Sequence, residues 1–516
     1  MRALYVLVLQ SGCGASYDLA MGEANSSGWS ATDAGDYGAP SMTTSPPPPE
    51  DESDRLRSVP AQTDVYVFIA NPDRDTLTRV HVATSSVVTT TVGVTPTLVV
   101  TTPDYQTAVV LNGGDDTISL VDAPTLDQTV VPVRPNLNRL DLSPDGRWAI
   151  AWHDAFTEIE EDPPEGVVSF NEASLVEVAT GQHVPMIVGY RPRSVAFTAD
   201  GRLAALISDD YVAAIDLTVG SPTPKLIELD PGAIDPPTAE EMILDASGTW
   251  AFVRQFGSND IRVVDLISSD VGSVPVGANP TDMDLTPDAG QAAIVARDAA
   301  ELWLLDAADP YAPAEILDIP PGAEAGQVLF DATGQTAVLF TTAVAVDRYA
   351  TWNLSSDVLV ERALVKPADT VTLAPGGETL VVFHSKTDAP ETDPAFQGEW
   401  AVSMIDLGNF VASPVVLPSA ATGYAHSNNG ELGYFMMDGE MTLVRLDYQT
   451  LLFHEIALLS EPEFLGVLPD LDPTDDDQPA TWASQVHDLG RISFYDPDDD
   501  TLETLTGFEL NAGIED

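Results

Sequence analysis

Two histidines begin the longest polar insertions of the chain. His153 opens HDAFTEIEEDPPEG (residues 153–166), and His384 opens HSKTDAPETDPAFQGE (residues 384–399). An imidazole can act as a general acid or base, or as a metal ligand, and both insertions supply carboxylates close by in sequence. The patterns HExxH, CxxC, GxSxG and the P-loop do not occur in the printed sequence. The two histidines are therefore the one catalytic hypothesis, and a binding protein is favoured over an enzyme.

Four arginines lie on two short segments of an otherwise acidic chain. Arg134 and Arg139 belong to VRPNLNRL, and Arg191 and Arg193 belong to YRPRSV. A guanidinium is a planar fork of donors that matches a carboxylate or a phosphate. These segments therefore predict a site for a small anionic ligand or an acidic peptide. The alternative is that each arginine pairs with a neighbouring Asp or Glu.

The overall charge excludes some partners. The chain carries 81 Asp and Glu against 21 Lys and Arg, a net charge of −60. Such a field repels phosphate backbones and anionic membranes, so a nucleic-acid partner is not expected.

Two acid-dense segments are candidate calcium sites, because calcium takes about six to eight oxygen ligands. Neither follows the EF-hand pattern, and no other cofactor is expected. The candidate ligands are Asp475, Asp476, Asp477, Asp498, Asp499 and Asp500.

A recurring turn shows how these residues are positioned. It occurs as SPDG (143–146), TADG (198–201), DASG (245–248) and DATG (331–334), each between runs of alternating apolar residues. Looser copies are TPDY (102–105), TPDA (286–289), APGG (374–377) and SNNG (427–430). Alternation with a period of two indicates β-strands, and the repeat length of about 40 to 50 residues is that of a four-stranded propeller blade.

A third strand follows each turn and usually ends in an acidic residue. The sequence therefore predicts an all-β fold, a single closed β-propeller of roughly eight to ten four-stranded blades, since closure removes exposed sheet edges. The predicted ends are His81, Asp122, Glu177, Asp216, Asp265, Asp306, Asn353, Asp406, Asp447 and Asp496.

Residues 95–133 (TPTLVVTTPDYQTAVVLNGGDDTISLVDAPTLDQTVVPV) resemble a YVTN-type propeller repeat. Asn112, Asp116, Thr117, Ser119 and Asp122 fall on its pattern of a strand ending in Asn followed by a DNTVSVID-like strand. The resemblance extends over about residues 64 to 510. It implies the propeller fold but no particular activity, since propellers host unrelated functions. Lactonases are among the related folds, which keeps a hydrolase open as an alternative.

The seventh residue after each turn glycine, or its counterpart, ends the second strand. In this repeat family the loop that follows shares a face with the loops that join one blade to the next. Most of these residues are polar, which predicts a ring of hydrogen-bonding groups around one mouth of the central channel. The alternative is a strand that simply ends in a polar residue. The members are Asn112, His153, Ser208, Gln255, Thr341, His384 and Met437.

The N-terminus resembles a bacterial lipoprotein signal. Arg2 precedes an apolar run (residues 3–9), and Ser11 and Gly12 precede Cys13, the single cysteine of the chain. The resemblance implies a signal peptide over residues 1–12 and lipid attachment at Cys13. Residues 13–63 are rich in Ser, Gly, Pro and acid, which predicts a disordered tether, and the propeller is assigned to residues 64–516.

We therefore expect a lipid-anchored protein of the bacterial cell envelope. Its membrane contact is through the lipid alone, and Gly14, in place of the Asp that marks inner-membrane retention, favours the outer membrane. The expected function is a monomeric binding or scaffold module for a protein or a small anionic ligand. The alternatives are a lactonase-like hydrolase and a purely structural spacer.

Overall fold

The computed structural model describes residues 60–155, 170–233, 236–331, 333–469, 481–487 and 489–508. Over these ranges the chain forms ten antiparallel sheets of four strands each, arranged in a ring. Two single-turn 3-10 helices, Pro72–Arg74 and Pro321–Ala323, are the helical elements of these ranges. The protein is thus a ten-bladed β-propeller, which confirms the predicted fold class. The proposed signal peptide and most of the proposed tether lie outside the described residues.

Each blade is built from four consecutive strands. Blades 1 to 5 contain β1 (Ala61–Gln62), β2 (Tyr66–Asn71), β3 (Thr76–His81), β4 (Ser86–Thr91); β5 (Pro96–Thr101), β6 (Thr107–Asn112), β7 (Thr117–Asp122), β8 (Gln128–Pro132); β9 (Arg139–Leu142), β10 (Trp148–Trp152), β11 (Glu172–Glu177), β12 (Gln182–Ile187); β13 (Ser194–Phe197), β14 (Leu203–Ile207), β15 (Tyr211–Asp216), β16 (Lys225–Glu228); β17 (Ala239–Leu244), β18 (Trp250–Gln255), β19 (Asp260–Asp265) and β20 (Val271–Pro275).

Blades 6 to 10 repeat this plan. They contain β21 (Pro280–Leu285), β22 (Gln291–Ala296), β23 (Glu301–Asp306), β24 (Glu315–Asp318); β25 (Gln327–Phe330), β26 (Thr336–Phe340), β27 (Arg348–Asn353), β28 (Val358–Ala363); β29 (Thr370–Leu373), β30 (Thr379–His384), β31 (Trp400–Asp406), β32 (Val411–Leu417); β33 (Ala421–His426), β34 (Leu432–Met437), β35 (Thr442–Asp447), β36 (Phe453–Ala457); β37 (Pro462–Val467), β38 (Thr481–Gln485), β39 (Arg491–Asp496) and β40 (Thr501–Thr506).

The recurring motif is the turn between the first and second strands of a blade. In blade 3 the Ser143 hydroxyl donates to Asp145 Oδ1 at 2.6 Å and accepts from the Trp148 N–H at 2.9 Å. Gly146 has a φ of +67°, a backbone conformation that a side chain would disfavour. Local side-chain bonds and one glycine thus close the turn and set the register of β9 against β10.

The predicted third-strand ends coincide with the ends of the third strands in all ten blades. Their carboxylates bind the backbone of the next turn: Asp265 Oδ1 accepts hydrogen bonds from the N–H groups of Ile267 and Ser268, both at 2.8 Å. These bonds, that of Ser268 foremost, hold the pKa of Asp265 below its usual range. The recurring acids therefore serve to build turns.

The hydrophobic core is divided among the blade interfaces. Trp148 and Ile150 of blade 3, for example, pack in one buried cluster with Ala204 and Leu206 of blade 4. Alternate residues of a strand point to opposite faces of its sheet, so each blade packs against both of its neighbours.

Blade 1 packs against blade 10 to close the ring. Val67 of blade 1 shares a buried cluster with Trp482 and Phe494 of blade 10. Gln62 adds two hydrogen bonds across this ring seam, because its amide donates to the Val467 carbonyl and accepts from the Trp482 indole N–H. Since every blade is made of consecutive strands, the ring closes by packing between blades and without strand exchange.

The loops of a propeller lie on two faces. We call upper face the one formed by the second-to-third-strand loops and the blade junctions, such as the segments around His153 and Arg191. The lower face carries the recurring turns and the third-to-fourth-strand loops. Within the described ranges, none of the helices has the length and apolar character needed to cross a membrane.

Candidate ligand-binding face

The polar residues that end the second strands are buried. Asn112, His153, Gln255 and His384 are each at most 5% exposed. Their burial agrees with the alternative interpretation, a strand that ends in a polar residue, and the ring of polar groups around a channel mouth stays a prediction.

These side chains hold loops in place through hydrogen bonds. The Asn112 amide donates to the hydroxyls of Thr117 and Ser119, both at 3.0 Å, within its own blade. The Gln255 amide reaches the junction from blade 4 and donates to Asp230 Oδ2 at 2.6 Å and the Pro237 carbonyl at 3.0 Å. A loop that crosses a buried strand end needs such partners for its own polar groups.

The two histidines occupy separate structural niches. His153 Nδ1 lies 2.6 Å from the Asn136 carbonyl, whereas His384 bonds the Pro367 carbonyl through Nδ1 at 2.9 Å and the Ser403 hydroxyl through Nε2 at 2.7 Å. Burial lowers the pKa of His384 to about 4. Blades 3 and 8 stand on opposite sides of the ten-membered ring, so the structure does not bring the two side chains together as a site.

A buried lysine, which the sequence analysis did not single out, organises the insertion after His384. Lys366 is fully buried, and its ammonium donates to the carbonyls of Phe396 at 3.1 Å and Glu399 at 2.6 Å. Asp388 of the same insertion completes the shell with an ion pair at 3.3 Å. Lys is rare in this chain, and its occurrence directly before Pro367 is the sequence feature that points to Lys366.

All four predicted arginines form ion pairs with carboxylates. Arg134 pairs with Glu172 at 3.0 Å, and Arg139 approaches Asp154 Oδ2 with Nε at 3.2 Å and Nη2 at 3.0 Å. Arg139 is the more buried of the two. The ion pairs agree with the alternative stated for these residues, pairing with neighbouring acids.

The second pair of arginines shares one carboxylate. Arg191 Nε donates to Asp209 Oδ2 at 2.6 Å, and Arg193 Nε and Nη2 approach Asp209 Oδ1 at 3.1 and 3.0 Å. Asp209 is buried, while the Arg191 side chain is about one-third exposed. Asp210 follows directly, and burial, with Asp209 as a further cause, raises its pKa. Two guanidinium groups thus face one deeply placed carboxylate, in contrast to the acidic surface elsewhere.

Exposed aromatic rings border this group. The Arg191 guanidinium lies 5.4 Å from the ring centre of Tyr190, and the rings of Tyr190 and Phe170 meet edge to face at 6.2 Å. Both rings are accessible on the upper face. We call Phe170, Tyr190, Arg191, Arg193 and Asp209 the arginine cluster. Aromatic and guanidinium groups together are typical of protein-binding surfaces.

An open cleft of about 460 Å³ lies next along the ring, between blades 4 and 5. Asp230 and Arg262 line it, and Arg262 Nη2 donates to Asp230 Oδ1 at 2.5 Å. Ser273 adds a hydroxyl to the lining. The Gln255 amide donates to the other carboxylate oxygen of Asp230. Gln255, a candidate from the sequence, therefore orients Asp230 in the lining of the cleft.

The described acidic candidates for calcium do not converge. Asp496 Oδ1 accepts from the N–H groups of Asp498 and Asp499, and Asp500 Oδ1 accepts from the Tyr495 hydroxyl and pairs with His454, both at 2.8 Å. Over the described ranges no group of three or more His, Cys, Asp or Glu is arranged to hold a metal ion. Asp475, Asp476, Asp477 and Cys13 lie outside the described residues.

Comparison with known proteins shows no family for this chain. No protein-family model and no curated protein matches this chain. A eukaryotic initiation factor structure is similar at 11% identity, 77% coverage of this chain and 97% of that chain, with a TM-score of 0.49. AztD from Citrobacter koseri is similar at 11% identity, 59% coverage of this chain and 85% of that chain, with a TM-score of 0.37. A putative 6-phosphogluconolactonase from Bacteroides fragilis is similar at 14% identity, 56% coverage of this chain and 90% of that chain, with a TM-score of 0.35. At these values the likeness carries no functional argument.

Proposed function

We propose that this protein is a binding or scaffold module that engages a carboxylate-bearing ligand, either an acidic peptide or a small anion, through the upper face. The observation that supports this is the sharing of Asp209 by Arg191 and Arg193 next to two exposed aromatic rings. A guanidinium matches a carboxylate or a phosphate in geometry and charge, and the two exposed rings beside Arg191 add contact area for a ligand. The surrounding acidic surface would confine anion binding to this place.

Calorimetric titration of the full chain with citrate and with a Glu-rich peptide at low salt tests this proposal. We expect Arg191→Ala to weaken binding by about tenfold, which corresponds to about 1.4 kcal/mol. Arg191→Lys keeps the charge but lacks the fork, so it should also weaken binding. Arg202→Ala, which removes an exposed arginine of the lower face paired with Asp200, is the matched control. Absence of binding to the unmodified chain would favour the structural spacer instead.

We further propose that the propeller is held at the bacterial envelope by a lipid on Cys13. The support is the sequence alone, with its apolar run and small residues before the single cysteine. Labelling of the expressed protein with a radioactive fatty acid should mark the unmodified chain and leave Cys13→Ala unlabelled and released from membranes. Equal membrane retention of both would contradict the lipid anchor, and fractionation of the envelope would assign the membrane.

A further inference from the structure

Three exposed apolar residues lie on neighbouring segments of the upper face where blades 9 and 10 meet. Met441, Leu459 and Val486 are 57%, 63% and 58% exposed. They belong to the second-to-third-strand loop of blade 9, the junction between the blades and the corresponding loop of blade 10. We call these three residues the apolar patch. Adjacent exposed apolar residues on a soluble protein commonly mark an interaction site.

Backbone hydrogen bonds fix the three segments that carry the patch. The Leu458 N–H donates to the Met441 carbonyl, and the Val486 N–H donates to the Glu461 carbonyl, both at 2.9 Å. Gln485 Oε1 accepts from the N–H groups of Leu459 and Ser460, both at 3.1 Å. The patch is therefore preorganised, which reduces the entropic cost of binding.

Exposed carboxylates lie close to the patch in the sequence. Asp438 and Glu440 precede Met441, and Glu461 follows Leu459. Arg491, the first residue of β39, donates to the Ser460 hydroxyl at 2.8 Å and to the Thr506 hydroxyl at 3.1 Å, so one guanidinium adjoins the junction. The carboxylates near the patch outnumber this guanidinium, so an occupant of opposite charge is favoured.

We propose that the apolar patch binds a protein segment whose apolar side chains are flanked by Lys or Arg. Two copies of this chain, each of net charge −60, repel one another, so a basic partner fits better than a second copy. This inference rests on the proposed binding role of the upper face, but it concerns other residues and a partner of opposite charge. The arginine cluster and the apolar patch then make the upper face a scaffold with two distinct sites.

The test uses the full chain and a short synthetic peptide of alternating Leu and Lys, with an all-Lys peptide of equal charge for comparison. The double variant Met441→Ser/Leu459→Ser keeps the net charge of the protein and should bind the Leu/Lys peptide about tenfold more weakly. The matched control is Ile267→Ser/Leu452→Ser, which removes two exposed apolar side chains of the lower face. This control should bind as the unmodified chain does.

Equal affinity for both peptides would overturn the proposal, because binding would then be electrostatic attraction alone. Equal loss in both double variants would also overturn it, because the peptide would then bind exposed apolar residues in general. A dimer in solution that the Met441→Ser/Leu459→Ser variant dissociates would overturn it in favour of a second copy. Citrate binding separates the two proposals. The Met441→Ser/Leu459→Ser variant should still bind citrate, whereas Arg191→Ala should lose citrate binding and still bind the Leu/Lys peptide.

Discussion

Asp141 is a carboxylate whose ionisation the fold opposes. It lies half-buried on β9, and its Oδ2 accepts a hydrogen bond from the Trp152 indole N–H at 2.6 Å. Burial raises its pKa to about 6, although the bond from Trp152 and the charge of Arg139 act in the opposite direction. A carboxyl with a raised pKa holds its proton more tightly in the folded state, so it reduces stability as the pH rises from about 4 to above 6.

Asp141→Asn keeps an acceptor for Trp152 but cannot ionise. The difference in unfolding free energy between this variant and the unmodified chain should therefore grow in favour of the variant from about pH 4 to pH 8. Urea denaturation at each pH measures it. Asp216→Asn is the control: hydrogen bonds from Thr218 lower the pKa of Asp216, so its effect should stay nearly level over this range. A flat Asp141→Asn difference would contradict the assignment.

At the scale of the elements, the turn between the first and second strands occurs with two orders of its hydroxyl and acidic residues. Ser143 donates to Asp145 in blade 3, whereas in blade 5 the acid comes first: Asp245 accepts from the Trp250 N–H at 2.6 Å and from the Ser247 hydroxyl. Either order supplies one acceptor for the strand after the turn and one bond across the turn. SPDG and DASG are thus two solutions of the same hydrogen-bonding problem.

Exchanging the two residues in blade 5 should preserve the turn. We expect Asp245→Ala to lower the unfolding free energy by about 1–3 kcal/mol, because it leaves the partly buried Trp250 N–H without its partner. The double variant Asp245→Ser/Ser247→Asp recreates the blade 3 order and should remain close to the unmodified chain in urea denaturation. If the double variant were as unstable as Asp245→Ala, the two orders would not be equivalent.

At the scale of the whole molecule, the chain has a net charge of −60. The first and last blades share no strand, so packing and hydrogen bonds between them must resist this repulsion. The short β1 strand contributes Gln62, whose side chain bonds both Val467 and Trp482 of blade 10. Repulsion among like charges favours expansion, so the ring seam is where we expect the propeller to open first.

Gln62→Ala should weaken this seam by about 1–3 kcal/mol, since it removes two hydrogen bonds. Amide hydrogen exchange should accelerate in blades 1 and 10 and stay unchanged in blade 5, more strongly at low salt. Gln128→Ala removes a bond between blades 2 and 1, to the Thr91 carbonyl on the outer strands, and should leave exchange in blade 10 unchanged. Exchange that rises evenly around the ring would contradict a local opening.

The sequence by itself determined the repeating elements. Local hydrogen bonds make the turn at Ser143, and a carboxylate such as Asp265 binds the backbone two or three residues on, so both are visible as short-range patterns. Alternation of apolar residues did the same for the strands, which is why all ten third-strand ends were found. Closure into a ring followed from the need to cover sheet edges, and the structure gave the blade number as ten.

Only the tertiary structure decided what the candidate site residues do. His384 and Gln255 end their strands in the same way, but their partners, Pro367 and Asp230, lie on junctions that pass over the strand end in space. The pairing of Arg191 and Arg193 with Asp209 likewise joins separate segments, and so do the backbone bonds between the segments of Met441, Leu459 and Val486. Such contacts depend on how blades pack around a ring, and a pattern that repeats every blade does not contain them.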